Sequence, residues 1–218
     1  MGRPVVYNFA PSSVNAIILA ASHAAGNIQF NGVLATGSNP SSLVSFSGVS
    51  RTVSLTSADD LHLVNVTITG TYRGAVVTET RVGPNANTVY TTQLFDTVTA
   101  VSVSAPVTTF SVGTGTTGRT HWFLSSYHTT GSTMSVQAVV TGTISYTFLA
   151  TLDDVQTNSA PTTFTPATPV FVGTTTMSAA TTSSLATYLA PTRYCCININ
   201  SSNVGGGLVV TMVQQGIN

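Results

Sequence analysis

Charge is scarce in this 218-residue chain: only 6% of the residues are charged, the formal net charge is zero, and there is no lysine. Nucleic-acid binding depends on clustered lysine and arginine side chains that displace counterions from phosphates. Six arginines scattered among six acidic residues form no such cluster, and they form no polybasic anchor for a membrane surface. The composition therefore predicts a partner that is neither a nucleic acid nor a membrane.

Cysteine is also scarce, because Cys195 and Cys196 are the only two and they are adjacent. A disulfide between neighbouring residues is strained, and no second pair is present to complete a zinc site. The sequence excludes a disulfide-stapled secreted module and predicts two partly buried thiols.

Long hydrophobic runs are missing as well, and none approaches the roughly eighteen apolar residues of a membrane-spanning helix. Arg3 followed by the apolar stretch Val14–Ala20 imitates a secretory signal. Tyr7, Asn8 and Pro11 interrupt that pattern, so we expect this segment to belong to the folded protein.

Serine and threonine are abundant, at 64 residues together, and 42% of the chain is hydrophobic. Ordinary soluble domains are about one quarter charged and have a net charge away from zero, and that net charge keeps copies apart by electrostatic repulsion. A surface of uncharged hydroxyls suits a subunit that packs densely against copies of itself. The composition predicts a homo-oligomer in an assembly, although secreted adhesins share it.

Apolar residues alternate with polar ones at period two in many places, which predicts an all-β protein. The clearest element is a hairpin over 64–82 that turns at 70–74. Regularly spaced short strands are typical of β-sandwiches and barrels. We therefore expect two tandem β-sandwich domains, jelly-roll or immunoglobulin-like, over residues 1–105 and 106–218. Other strands are expected at 4–9, 16–20, 27–35, 42–47, 52–57, 88–93, 98–103, 108–112, 120–125, 135–140, 143–152, 169–172, 194–200 and 208–213.

Two segments break this regular pattern. The spaced glycines of Gly113–Gly118 have no lysine and no following helix, so they predict a flexible hairpin tip and not a phosphate-binding loop. The segment Met177–Leu189 is the one helix-like window, although it is crowded with threonine and serine.

Titratable residues are too few to suggest catalysis, and no Gly-x-Ser-x-Gly elbow follows a strand. We expect no enzyme activity, no cofactor and no metal site. The densest charged spot in the first half of the chain, Asp59-Asp60-Leu61-His62, offers carboxylate and imidazole ligands for a metal, but it fits a turn after the strand expected over 52–57 better. We also expect a turn at Asp153-Asp154, after the strand expected over 143–152.

The one cluster of aromatic and basic side chains is a candidate ligand or partner surface. A lone tryptophan beside histidine and tyrosine can stack on a sugar ring, which is the best argument for a glycan-binding module. Because successive strand residues point to opposite faces, the sequence favours Trp122 in the core of the second domain, with His121 facing solvent. The cluster consists of Arg119, His121, Trp122, Tyr127 and His128.

Several segments resemble a pattern common in small virion structural proteins of tailed bacteriophages. These are Val53–Leu61, Val66–Thr71 and Thr78–Val89, together with a C-terminal part, Ile197–Asn200 and Gly205–Gly216, that is similar to the ending of those proteins. The resemblance implies a virion protein assembled in the host bacterial cytoplasm, with the major capsid protein or other virion proteins as partners. It suits a capsid decoration or cement protein, and a neck, collar, head-to-tail or tail-fibre role stays open.

Overall fold

A computed structural model describes residues 4–37, 43–125, 133–152, 177–188 and 192–214, and every regular element within them is a β-strand. The all-β prediction is confirmed. The strands are β1 (Val5–Phe9), β2 (Ile18–His23), β3 (Gly26–Asn27), β4 (Val44–Ser45), β5 (Val49–Thr56), β6 (Asn65–Tyr72), β7 (Ala75–Val82), β8 (Thr88–Tyr90), β9 (Thr97–Val103), β10 (Val107–Thr120), β11 (Phe123–Leu124), β12 (Met134–Thr141), β13 (Ile144–Thr151), β14 (Ser184–Tyr188), β15 (Tyr194–Ser202) and β16 (Gly207–Gln214). Among the described residues, no helix has the length and apolar character needed to span a membrane.

The chain forms two compact units: a central unit of Ser12–Gly118, and a terminal unit of Met1–Pro11 with Arg119–Asn218. These bounds differ from the division at residue 105 that the sequence suggested. The first strand, β1, pairs with the last, β16, so both ends of the chain belong to one unit. Pairing between such distant strands leaves no local signal, because periodicity reports only which face of a strand is buried.

The central unit contains two sets of antiparallel strands that share one core. In the first set β6 lies between β7 and β9, and both β3 and β4 pair with β9; in the second, β5 lies between β8 and β10, and β2 also pairs with β10. The buried cluster takes side chains from both sets, including Val53, Leu55, Val66, Ile68 and Phe110. In β6, alternation places Val66 and Ile68 on the inner face and Thr67 and Thr69 on the outer one, whereas β5 is buried along nearly its whole length.

The hairpin expected over 64–82 is present as β6 and β7. Asn65 lies opposite Val82 and Tyr72 opposite Ala75, so the register is unbroken over the whole pair. Arg73 and Gly74, the two loop residues, have φ of 53° and 80°. Two consecutive positive φ values match the type I′ turn that joins twisted strands.

The expected hairpin tip at 113–118 is wrong, because β10 runs through it without a break. A Cβ at Gly113 would lie 1.9 Å from the carbonyl oxygen of Ser13, and one at Gly115 would lie 2.0 Å from Oγ1 of Thr52. These glycines allow close approach of neighbouring chain segments, and they do not make a turn.

Two further expectations are corrected. The strand expected over 27–35 is limited to Gly26–Asn27 in β3, and the amides of Asn31 and Gly32 both donate to the carbonyl of Ile17. The helix-like window contains β14 instead, paired along β12. Threonine and serine are poor helix formers, so pairing with β12 makes the end of this segment, Ser184–Tyr188, a strand.

The terminal unit contains a four-stranded antiparallel sheet in the order β1-β16-β12-β14. In the same unit β15 pairs with β13 along most of its length and with β11 near its start. The expected strand at 169–172 and the expected turn at Asp153-Asp154 lie outside the described residues.

Candidate functional site

The aromatic and basic cluster lies at the end of β10 and in the connection to β11. Arg119 is half-buried, and its Nε donates to Oδ1 of Asn198 at 3.3 Å. His121 is exposed, as expected, and Trp122 is half-buried. Tyr127 and His128 lie outside the described residues. The structure therefore places three of the five predicted residues within one short stretch and describes no geometry for the other two.

Trp122 is not one of the buried core side chains, although the sequence analysis favoured a core position for it. The strand β10 ends at Thr120, so the alternation that predicted an inward side chain does not continue to Trp122. Part of the surface of Trp122 is therefore exposed to solvent.

The titratable residues that sequence reasoning collected are dispersed. No group of three or more histidine, cysteine or acidic side chains with metal-binding proximity exists among the described residues. The four described carboxylates, Asp59, Asp60, Glu79 and Asp96, each accept hydrogen bonds from turns or strand ends.

Asp59 holds a strained part of β10. Its Oδ2 accepts hydrogen bonds from the hydroxyls of Thr108 and Thr109, each at 2.6 Å. Thr109 has a φ of 48°, which is unfavourable for a β-branched residue. The hydrogen bonds from Thr108 and Thr109 lower the pKa of Asp59 below its usual value. The carboxylate therefore compensates part of the strain at a bulge where the β2–β10 register shifts.

Asp60 and His62 form the turn that the sequence predicted. Oδ1 of Asp60 accepts from the backbone amide of His62 at 3.1 Å and lies 2.7 Å from its Nδ1. The side-chain hydrogen bond with His62 is the largest cause of the lowered pKa of Asp60. Ser57 precedes this turn, and its hydroxyl accepts from the amide of Asp59 at 3.0 Å.

Glu79 is a charged residue on the inward side of the edge strand β7. It lies opposite Ile68, which is fully buried. Its carboxylate accepts from the backbone amide of Thr92 at 2.9 Å and from that of Gln93 at 2.7 Å. An inward charge on an edge strand discourages pairing with another strand.

Asp96 joins the start of β9 to the β6–β7 turn. Its Oδ2 accepts from the backbone amide of Arg73, and its Oδ1 accepts from the hydroxyl of Ser50. These contacts connect the segment before β9 to the β6–β7 turn and to the start of β5, so this carboxylate also has a structural role.

The two cysteines are free and fully buried on β15. Sγ of Cys195 lies 3.5 Å from the sulfur of Met134 and 3.9 Å from that of Met212. Burial raises the pKa of the Cys195 thiol well above its usual value. A protonated thiol in an apolar core behaves as a small hydrophobic group.

Arg51 is a buried cation in the central unit. One of its guanidinium nitrogens, Nη2, donates to the carbonyl of Gly115 at 2.8 Å. Desolvation by burial lowers its pKa to about 10. Because Gly115 has no side chain, its backbone lies close enough to β5 for this contact.

The outer face of the β7-β6-β9 sheet is covered by paired threonine hydroxyls. Thr67 pairs with Thr80 at 2.9 Å, and Thr69 pairs with Thr78 at 3.2 Å. Such cross-strand pairs stabilise a solvent-facing sheet surface without charge.

A second face has no ionised side chain and was missed by sequence reasoning. The strands β1, β12, β14 and β16 contain no aspartate, glutamate, lysine, arginine or histidine. We call the outward side of this sheet the uncharged face; its side chains are Val6, Asn8, Ser135, Gln137, Val139, Leu185, Thr187, Val209, Thr211 and Val213. The available signal was the run Leu208-Val209-Val210, which is apolar on both sides of the strand instead of alternating.

Comparison with known proteins finds no matching family model, no similar curated protein and no similar solved structure.

Proposed function

We propose that this chain is a structural protein of a bacteriophage virion, and specifically a decoration or cement protein on the outside of the capsid. The observation that carries the proposal is the pair of solvent-facing sheet surfaces that lack charge: the threonine-paired face and the uncharged face. Such faces contact neighbouring protein without the cost of burying ions.

Stabilisation of the shell follows from copy number. Each copy buries a modest area, and binding to the assembled lattice favours the intact particle by mass action and avidity. The partners are the major capsid protein or other virion proteins and further copies of this chain. Among the described strands, β1 and β14 are sheet edges without charge, which suits contact by added strands.

The fold proposal is that each unit is a β-sandwich of jelly-roll or immunoglobulin-like type. In the central unit, two sets of strands sharing one buried cluster support it. On this proposal the chain works in the virion after assembly in the bacterial cytoplasm, as a scaffold with no catalytic step and no cofactor.

The test is a count of this chain per purified particle by quantitative mass spectrometry, normalised to the major shell protein. A decoration or cement role predicts copies on the order of the number of shell subunits. A count of a few to a few dozen would replace it with a neck, collar, head-to-tail or tail-fibre role. Absence from particles would contradict a virion function.

A second candidate, a glycan- or receptor-binding module, is favoured by one observation: Trp122 is half-buried next to exposed His121. Because Trp122 is the only tryptophan, intrinsic fluorescence reports on this position alone. Saccharide stacking predicts a saturable fluorescence change in the wild type and a loss of binding in Trp122→Ala, which isothermal titration calorimetry measures because that variant has no tryptophan. Tyr90→Ala, which removes an exposed aromatic ring in the central unit, is the matched control. No change with a broad panel of saccharides would contradict this candidate.

A further inference from the structure

The outward side of the β1-β16-β12-β14 sheet combines aliphatic exposure with a complete lack of ionised groups. Four of its aliphatic side chains are substantially exposed: Val6 at 59%, Val139 at 44%, Leu185 at 67% and Val209 at 39%. The polar side chains between them are amides and hydroxyls.

The register gathers these residues into one patch. Val139 lies directly opposite Val209 on the two inner strands of the sheet. On the outer strands, Val6 lies opposite Thr211 and Leu185 opposite Gln137, in the adjacent row. Thr211 and Gln137 are themselves paired, so this row crosses all four strands.

We propose that the uncharged face is a self-association surface, which packs against the same face of a second copy of this chain. A charged side chain of a partner would lose its hydration against the uncharged face and would have no opposite charge to pair with. The partner face must therefore also be uncharged. Every copy of the chain presents such a face, and a two-fold axis brings identical patches together. The uncharged amide and hydroxyl groups between the aliphatic residues find partners of the same kind in the second copy.

The size of the face sets the strength of this contact. Four strands about 4.8 Å apart, with about six residues each, give a face of roughly 400 Å². A stable interface buries about 800 Å² on each partner, so one face is sufficient only for weak association. Weak pairing in solution and strong pairing among many copies on a particle is the behaviour that avidity predicts.

The edges of the two sheets also differ. The sheet containing β7 has the inward charges of Glu79 and Arg81 on its edge strand, whereas the edge strands β1 and β14 have none. Inward charges protect an edge from pairing with other chains. The edges β1 and β14 therefore do not oppose the approach of a second copy, whereas the edge β7 does.

The inference deepens the proposed function by naming the surface for contact between copies, but its test needs only the purified chain. Sedimentation velocity over a wide concentration range is expected to show a reversible monomer–dimer equilibrium for the wild type. Val139→Asp puts a charge at the centre of the face, and we expect it to weaken self-association at least about tenfold. Val209→Asp is expected to do the same from the opposing strand.

The matched control is Val33→Asp, which makes the same change at an 86% exposed valine in the connection between β3 and β4, outside both sheet faces. We expect its association to equal that of the wild type, and circular dichroism melts confirm that each variant is folded. A wild type that stays monomeric up to millimolar concentration, or equal losses in Val33→Asp and Val139→Asp, would overturn the inference. A self-associating chain that is absent from particles would contradict the virion proposal alone.

Discussion

Single side chains in this protein mainly hold backbone in place. Asp59 accepts two threonine hydroxyls beside a residue with positive φ, Glu79 accepts two backbone amides, and Asp96 accepts the amide of a hairpin turn. With so few charges in the chain, their use for local hydrogen bonding leaves the sheet surfaces to uncharged side chains.

The first prediction concerns Asp59 and pH. Its folded-state pKa is lowered, so its stabilising contribution is present above the unfolded-state pKa and is lost as the pH falls through the folded-state value. Asp59→Asn should lower the urea unfolding midpoint near neutral pH, and the difference from wild type should shrink below about pH 4. Urea titrations at several pH values measure this.

Thr108→Ser keeps the hydroxyl that donates to Asp59, so we expect its midpoint to follow the wild type at each pH. A difference between Asp59→Asn and wild type that does not change with pH would contradict the assignment.

The second prediction concerns the thiols. Cys195 and Cys196 are fully buried, and burial raises the pKa of Cys195, so neither forms an accessible thiolate in the folded protein. We expect an aromatic disulfide reagent, which releases a coloured thiolate when it reacts with a thiol, to give no colour with the native protein. After unfolding in denaturant, it should report two thiols per chain. Rapid reaction of one thiol in the native protein would show that β15 is exposed.

Whole strands depend on contacts that single residues do not reveal. β10 extends over 14 residues because Gly113 and Gly115 let Ser13 and Thr52 approach its backbone. In a flexible hairpin tip an added methyl group would meet no neighbouring backbone and would change the stability little, so the two interpretations predict different effects of Gly→Ala.

The third prediction tests β10 directly. Gly113→Ala puts a Cβ 1.9 Å from a backbone carbonyl, so it should destabilise the protein by about 3 kcal/mol or more. Gly205→Ala is the control, because its added Cβ meets only one atom within 4 Å, at 3.8 Å. Denaturant unfolding of both variants measures the difference. Equal stability of the two variants would favour the flexible-tip interpretation.

For the molecule as a whole, apolar burial and backbone pairing dominate over ion pairs. The ion pairs of the described residues include Glu79–Arg81 at 3.8 Å, and the exposed Asp60–His62 contact is an ion pair only when His62 is protonated. An exposed pair contributes about 0 to 1 kcal/mol.

The fourth prediction follows from that balance. Raising sodium chloride from about 0.02 M to about 0.5 M should shift the melting temperature by less than about 4 °C, since screening has few pairs to weaken. Differential scanning calorimetry measures this, with each transition followed separately. A shift of about 10 °C would show that charge interactions contribute far more than the structure indicates.

The sequence by itself determined the strand character of the chain, the β6–β7 hairpin, the Asp60–His62 turn and the unbridged cysteines. Each depends on neighbours a few residues apart: alternation selects the buried face, and Arg73-Gly74 supplies the positive φ of the turn. Residue types and spacing are sufficient for such local features.

Only the tertiary structure decided the rest. In the folded chain β1 pairs with β16, and β10 continues without a break through Gly113–Gly118. The helix-like window contains the strand β14, and Trp122 lies outside the buried core. The tertiary structure also placed Val6, Val139, Leu185 and Val209 on one face, although they come from four distant segments. These outcomes depend on which strands meet across the whole chain, because the burial gained by distant pairing outweighs local preference.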